Sequence, residues 1–440
     1  MNAAIAPPIL LALNLTRRCN LACAHCYLDA GTRGHGTADE LSTGEVRTLL
    51  DRIAALSREM LVVLTGGEPL LRADVCELAA HATRRGLAVV VGTNGTLLDD
   101  RRVRALQGAG VRALGISLDS LDADHHDHFR GQRGAWVMAV QGIDACRRNG
   151  LMFQIHFSVT DANAHELDAM IGFARSAGAA VLNVFFLVCT GRGASLSNVS
   201  AGVYERVLAR IAVAAREERE LLVRARCAPH FQRLARTADG ADQDGSMLGL
   251  EAAGCLAGRR YCRVTPEGEL TPCPYIEASA GSVRSADLAE LWAAAPLFAR
   301  LRAPALEGRC GACEYARVCG GCRARPYARD DNLMGEDFLC TYQPRGGEVI
   351  VSAADACAHA KLTWTAQAEA RLSHVPAFVR SFVRQRVETH VRERGAEVVT
   401  EQDLDSLAKR RFGARPGDGG DHRSAGIATA DRAPRPGGGP

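Results

Sequence analysis

From residue 9 to about residue 190 the chain alternates short apolar runs with longer stretches whose apolar residues recur at helical spacing. The apolar runs predict strands at Ile9–Leu15, Met60–Leu64, Ala88–Gly92, Ala113–Ser117, Phe153–Val159 and Val181–Leu187. The clearest helix is expected over Thr43–Arg58. It opens at Ser42-Thr43-Gly44-Glu45, a capping box in which Ser42 and Glu45 each satisfy an amide that the first turn leaves without a partner. Six strands alternating with helices predict parallel βαβ units, in either a doubly wound sheet or an incomplete barrel. Both arrangements collect ligands at the carboxyl ends of their strands. A charged amphipathic helix is expected over Tyr204–Leu222. Residues 224–345 are rich in Cys, Gly, Pro and Arg with weak periodicity, which predicts little apolar core and a fold that leans on metal. Helical patterning returns over 362–413, and 414–440, with no apolar face, reads as a disordered tail.

Composition narrows the picture. The 440 residues are 47% hydrophobic and 23% charged, a globular balance with room for two or three units. A net charge of +3 leaves no basic excess to spread along a phosphate backbone, so a dedicated nucleic-acid binder is excluded. No apolar stretch reaches membrane-spanning length, and Ile5 to Leu15 is broken by Pro7, Pro8 and Asn14 with no preceding positive charge. A soluble, cytoplasmic protein is expected. In that reducing setting sixteen cysteines point to metal or redox chemistry rather than disulfides.

Cys19, Cys23 and Cys26 form a C-x3-C-x2-C triplet directly after the first expected strand. Three thiolates leave a tetrahedral zinc site one ligand short, whereas a [4Fe–4S] cube held by three cysteines keeps one iron open. About forty residues on, Gly66-Gly67-Glu68-Pro69 follows the second strand. Its glycines let backbone approach a ligand closely, and Glu68 offers an acceptor for an ammonium group. Thr93-Asn94-Gly95 and Ser117-Leu118-Asp119-Ser120 end the third and fourth strands, in residue pairs that also serve ordinary turns. His125-His126-Asp127 and Arg130-Gly131 are expected in a solvated loop, with a substrate loop as the alternative.

In this order and placement the motifs resemble the radical S-adenosylmethionine (SAM) superfamily, over residues 9 to about 190. The resemblance implies an α/β fold built on a partial (βα)6 TIM-like barrel. Cys19, Cys23 and Cys26 would hold a [4Fe–4S] cluster whose open iron chelates SAM, with His25 in the place of the aromatic residue that usually precedes the third cysteine. Gly66, Gly67 and Glu68 would receive the methionine amino group, and Asn94, Ser117 and Asp119 would lie near the ribose or methionine portion. An electron from a donor such as flavodoxin or ferredoxin would break a sulfur–carbon bond of SAM, and the resulting 5′-deoxyadenosyl radical would take hydrogen from an unactivated carbon.

Eight further cysteines lie between 255 and 340, two full sets of four. A zinc ribbon is the alternative, but the five-residue gap between Cys313 and Cys319 is short for one. Cys255-x12-Gly268-x4-Cys273 resembles the opening of the SPASM extension of radical SAM enzymes. That resemblance implies two auxiliary [4Fe–4S] clusters, one on Cys255, Cys262, Cys273 and Cys322, the other on Cys310, Cys313, Cys319 and Cys340. The family commonly has three residues between its last clustered pair, and Cys319-Gly320-Gly321-Cys322 has two. Cys227 is an extra or substitute ligand candidate. Cys76, Cys146, Cys189 and Cys357 read as core residues.

Three segments narrow the resemblance to the radical SAM branch of alternative heme and heme d1 biosynthesis. They are Asn183 to Val188 with Thr190-Gly191-Arg192-Gly193, Gly254 to Gly258, and Cys319 to Arg325. That branch oxidises or decarboxylates propionate side chains of a tetrapyrrole, and arginine grips carboxylates bidentately. Leu362 to Arg380 resembles the small helical domain of light-independent protochlorophyllide reductase, another tetrapyrrole enzyme. The expected organisation is a radical SAM core over 9–200, a linker helix over 201–223, an auxiliary cluster domain over 224–345, a helical domain over 362–413 and the tail over 414–440. The competing expectation is a SPASM maturase acting on a ribosomally made peptide. Such enzymes often carry a peptide-binding module before the barrel, and only about eight residues precede strand one. An iron–sulfur electron carrier would leave the missing fourth ligand of the first cluster unexplained.

Overall fold

The computed structural model describes residues 5–31, 39–196, 199–237, 254–351 and 362–412, apart from 376–379, 381, 382, 385, 386, 389 and 393. Seven strands pair in parallel in chain order: β1 (Leu10–Asn14), β2 (Leu61–Thr65), β3 (Ala88–Thr93), β4 (Ala113–Ser117), β5 (Phe153–Val159), β6 (Val181–Phe186) and β7 (Leu222–Arg226). Helices α1 (Thr43–Leu56), α2 (Val75–Arg84), α3 (Asp100–Gly108), α4 (Ala123–Arg130), α5 (Ala135–Asn149), α6 (Leu167–Ser176) and α7 (Ala201–Glu217) connect them. Each step moves one strand along the sheet. This is the repeated βαβ pattern of an incomplete barrel.

The six expected strands are present to within a residue or two at each end. β7 is additional: its residues fall where the connecting helix was expected to end, and α7 stops five residues before it. The helix expected to run to Arg58 ends at Leu56, with the Ser42–Glu45 capping box formed as read. Period-two alternation explains how the sheet divides. Phe153, Ile155, Phe157 and Val159 of β5 are buried in the apolar core that the helices cover, while Gln154, His156 and Ser158 are half-buried on the other face. That second face lines the inside of the open barrel.

The Cys-rich region builds more core than its weak periodicity suggested. β8 (Tyr261–Val264) pairs in parallel with β1, and β9 (Leu270–Thr271) pairs antiparallel with β8, so the region extends the barrel sheet. Val264, Leu288, Trp292 and Phe298 join the main apolar core. Trp292 is 1% exposed, packs 5.1 Å from the Phe298 ring, and donates its indole N–H to the Ala6 carbonyl at 2.9 Å. Short strands and short helices escape pattern reading, because a four-residue strand shows only two turns of alternation.

Residues 362–412 have a small core of their own, including Leu372, Val387, Val391, Val399, Leu404 and Leu407. Thr363–Trp364 and Val398–Val399 form a two-stranded parallel pair there, an element not expected from the helical patterning. The tail expected over 414–440 and Cys357 lie outside the described residues. No helix among the described residues is long and apolar enough to cross a membrane.

Trp292 ties the amino-terminal segment to the Cys-rich region, so Trp292→Ala is expected to cost about 3–5 kcal/mol through the cavity and lost contacts. Thermal unfolding of the reconstituted protein should show a lower Tm. An unchanged Tm would mean that this region does not share the barrel's core.

Candidate active site

The loop after β1 is gripped on several sides by backbone. A Cβ at Gly67 would stand 2.3 Å from the Arg18 carbonyl oxygen, one at Gly131 2.7 Å from that of Ala22, and one at Gly191 2.6 Å from that of Cys26. Side chains do not fit there. In their place run direct hydrogen bonds: Gly67 N–H to Thr16 O at 2.7 Å, Glu68 N–H to Arg18 O at 2.8 Å, Ala24 N–H to Phe129 O at 2.9 Å and Arg192 N–H to Cys26 O at 3.0 Å. The cysteine loop is therefore fixed by the ends of β2, α4 and β6.

Each of its three sulfurs meets an N–H donor. Leu21 donates to Cys19 Sγ at 3.4 Å, Ala30 to Cys26 Sγ at 3.4 Å, and Arg130 Nη1 to Cys23 Sγ at 3.7 Å, with Asn94 Nδ2 3.9 Å from Cys19 Sγ. Donors aimed at sulfur suit thiolate ligands of a cluster. Burial pushes the Cys19 thiol up to about 12, so the loop takes up metal only by releasing protons. The residues present thus fit a three-cysteine iron–sulfur site.

Arg130 corrects the expectation of a solvated loop. Residues 123–130 form α4, in which His126 is 1% and Arg130 5% exposed. Arg130 Nη2 lies 2.5 Å from Asp119 Oδ2, and that carboxylate is fully buried. Burial alone would raise Asp119, but Arg130, then His25 and His126, overturn it and hold the carboxyl below its usual range. Asp119, expected near the ribose or methionine portion of SAM, pairs with Arg130, and it also accepts the Ser158 N–H at 2.9 Å. His126 accepts the Asp119 N–H at Nδ1, and burial pushes its imidazole down to about 4.

His25 stacks on Phe129 with ring centroids 4.4 Å apart, and burial pushes it down to about 4 as well. Glu68 is fully buried and accepts from Leu70 N–H at 3.0 Å, Thr93 Oγ1 at 2.9 Å and Asn94 N–H at 2.8 Å. It ties the Gly66-Gly67 segment to the end of β3. Thr93 Oγ1 reaches the second carboxylate oxygen at 2.9 Å as well, so both oxygens are engaged. Burial raises the Glu68 carboxyl to about 7. Ser117 closes β4 in register with His156.

Register also assembles residues that motif reading did not single out. Across β5, β6 and β7 one row carries His156, Asn183 and Arg224, and the row two residues on carries Ser158, Phe185 and Arg226. Arg226 Nε donates to Asn183 Oδ1 at 2.7 Å, and His156 packs 5.2 Å from the Phe185 ring. Gly115 makes room for His156, because a Cβ there would meet its ring at 2.5 Å. Among the described residues no carboxylate pairs with Arg226, and burial lowers its pKa. The signal available in sequence was the alternation of Arg224 and Arg226 on one face of a short strand.

The remaining cysteines fall into two groups. Cys310, Cys313, Cys319 and Cys340 line one open pocket, together with His230 and Tyr342. Cys255, Cys273 and Cys322 pack in a second cluster with Cys227. Cys262 is not among them. It is fully buried in β8, in register with Leu11 of β1 and within the barrel's apolar core. Of the expected ligand set Cys255, Cys262, Cys273 and Cys322, Cys262 is the member that the fold places apart from the other three. Among the described residues no three Cys, His, Asp or Glu side chains converge on a single ion. A [4Fe–4S] cube has iron at alternate corners with sulfide between them, so it asks for thiols spread around a volume rather than converging on a point.

Fold and loop together define an iron–sulfur enzyme whose chemistry sits at the carboxyl ends of barrel strands. Family models match for the radical SAM superfamily over residues 13–174, an iron–sulfur cluster-binding domain (SPASM) over 255–322, and the proto-chlorophyllide reductase 57 kD subunit over 364–407. The chain is similar to the AdoMet-dependent heme synthase of Methanosarcina barkeri, 40% identical over 347 residues that cover 77% of this chain and 97% of the relative. It is 38% identical over 344 residues to the AdoMet-dependent heme synthase of Nitratidesulfovibrio vulgaris, covering 76% and 93%. Among solved structures, Streptococcus suis SuiB bound to S-adenosylmethionine shares the fold, with a TM-score of 0.63 at 17% identity over 77% of this chain and 78% of that one. The chain belongs to the radical SAM superfamily. Membership brings [4Fe–4S] clusters and SAM as its cofactors.

Removing Arg130 would leave Asp119 buried without its cation, which costs about 3–5 kcal/mol when one partner of a buried pair is deleted. Arg130→Met should therefore lower the Tm, and Arg130→Met with Asp119→Asn should recover part of the loss. Equal Tm values in the wild type and the single variant would contradict the pairing.

Proposed function

We propose that the protein is a radical SAM enzyme of heme biosynthesis that oxidises or decarboxylates a propionate side chain of an iron tetrapyrrole. The observation that carries this reading is the match, over nearly the whole length of the relatives, to AdoMet-dependent heme synthases at 38–40% identity. When bound, the three-cysteine cluster and SAM supply the radical that abstracts hydrogen.

The chain's own residues do the rest. Cys19, Cys23 and Cys26 hold the cluster, and the Gly66-Gly67-Glu68 segment receives the methionine ammonium. Asn94 and Ser117 border the same strand ends, and His25, stacked on Phe129, closes one side. Arg130 steadies Cys23 and is itself held by Asp119. Arg226 supplies a cation for a substrate carboxylate, and Phe185 and His156 give the adjoining wall apolar and aromatic surface for a ring edge. A flavodoxin or ferredoxin is the proposed source of electrons.

Trp364 of the helical domain is committed elsewhere: its indole N–H bonds Glu388 at 3.0 Å, and Arg384 lies 4.4 Å over its ring. The helical domain is therefore left out of the catalytic wall.

Anaerobically reconstituted protein given SAM, a reductant and coproheme should yield decarboxylated products by mass spectrometry. Arg226→Gln should weaken coproheme binding roughly ten- to a hundredfold, the loss of a charge-assisted contact of about 1.5–3 kcal/mol, while 5′-deoxyadenosine still forms without substrate. A protein that leaves coproheme and siroheme derivatives unchanged but modifies a peptide would overturn the tetrapyrrole reading.

A further inference from the structure

The second cysteine cluster has a member from outside the Cys-rich domain. Cys227 follows the last residue of β7, so its position is set by a barrel strand. It packs with Cys255, Cys273 and Cys322. The thiol that the family resemblance implied for that group, Cys262, is fully buried in the barrel core beside Leu11.

Two features show that Cys227 is held there by design of the surroundings. Its φ is +55°, one of three left-handed non-glycine residues among those described, and a side chain with a Cβ adopts that conformation only under constraint. The constraint is visible. Arg325 Nη2 donates to the Cys227 carbonyl at 2.5 Å, and Arg325 Nη1 donates to Asp337 Oδ2 at 2.8 Å. The same Asp337 oxygen accepts the backbone N–H of Cys322 at 2.7 Å. One buried ion pair, both side chains 0% exposed, thus fixes the backbone of two cysteines of the group at once.

We infer that Cys227, not Cys262, is the fourth ligand of the first auxiliary cluster, beside Cys255, Cys273 and Cys322. The ligand set then spans two parts of the fold, three thiols from the Cys-rich segment and one from the end of β7. Arg226, whose side chain reaches Asn183 on the lumen face, is the residue next to the ligand. The auxiliary cluster therefore abuts the wall proposed for substrate. The inference rests on the presence of an auxiliary cluster in this domain but not on the identity of the substrate.

The test uses full-length protein, anaerobically reconstituted, with iron and sulfide counted per chain and the dithionite-reduced samples compared by electron paramagnetic resonance (EPR). The variants are Cys227→Ala, Cys227→Ser, Cys262→Val and Cys255→Ala. Valine fills a buried strand position, so Cys262→Val preserves the core. Cys227→Ala and Cys255→Ala should each lose up to about four irons, one cube, or keep them with an altered EPR signal. Cys227→Ser, which keeps an oxygen donor, should alter the same signal. Cys262→Val should match the wild type in both readouts. Cys227→Ala indistinguishable from the wild type, or Cys262→Val behaving like Cys255→Ala, would overturn the assignment. If Cys255→Ala itself changes nothing, the cluster reading fails and the ligand assignment with it.

Discussion

The structure depends on how tightly one short loop is enclosed. Cys19 to Cys26 pass between β1 and the ends of three other elements, and at Gly67, Gly131 and Gly191 there is no space for even a methyl group. Backbone touches backbone at each point. The three thiols are thereby set in place before any cofactor arrives, and each is given an N–H donor. Preorganisation of this kind puts the cost of ordering the ligands into folding rather than into binding. The buried Asp119–Arg130 pair serves the same end, since it places a cation beside Cys23 that a solvated side chain would not hold.

Around that loop the barrel divides its labour by strand parity. Residues of one parity form the core with the helices, and those of the other line the interior. The interior row ends in Phe185 and Arg226, next to the segment where the Cys-rich domain begins. β8 then returns to pair with β1, so the auxiliary region is built onto the barrel sheet rather than hung from a linker.

Much of this was legible in the residues. Six strands, the α1 capping box and the cysteine triplet each carry a short-range physical signature: alternation, reciprocal amide capping, and ligand spacing within one loop. What was not legible depends on contacts between distant segments. Spacing alone could not separate Cys262 from Cys227, because burial of Cys262 follows from the pairing of β8 with β1. Arg130 sits in a polar run that reads as solvent-facing, and only the approach of Asp119 makes it a buried cation. Glu68 was read as an open acceptor, whereas most of its capacity holds the loop to β3.

The central claim is that the Cys19–Cys26 loop presents an incompletely ligated cluster to SAM. EPR of the reduced, reconstituted protein before and after addition of SAM tests it most directly, with the Cys19, Cys23 and Cys26 triple-Ala variant alongside. One component of the wild-type spectrum should change on adding SAM, and the variant should lack that component while keeping its auxiliary signals. A wild-type spectrum indifferent to SAM, or a SAM-dependent change that survives in the variant, would contradict it.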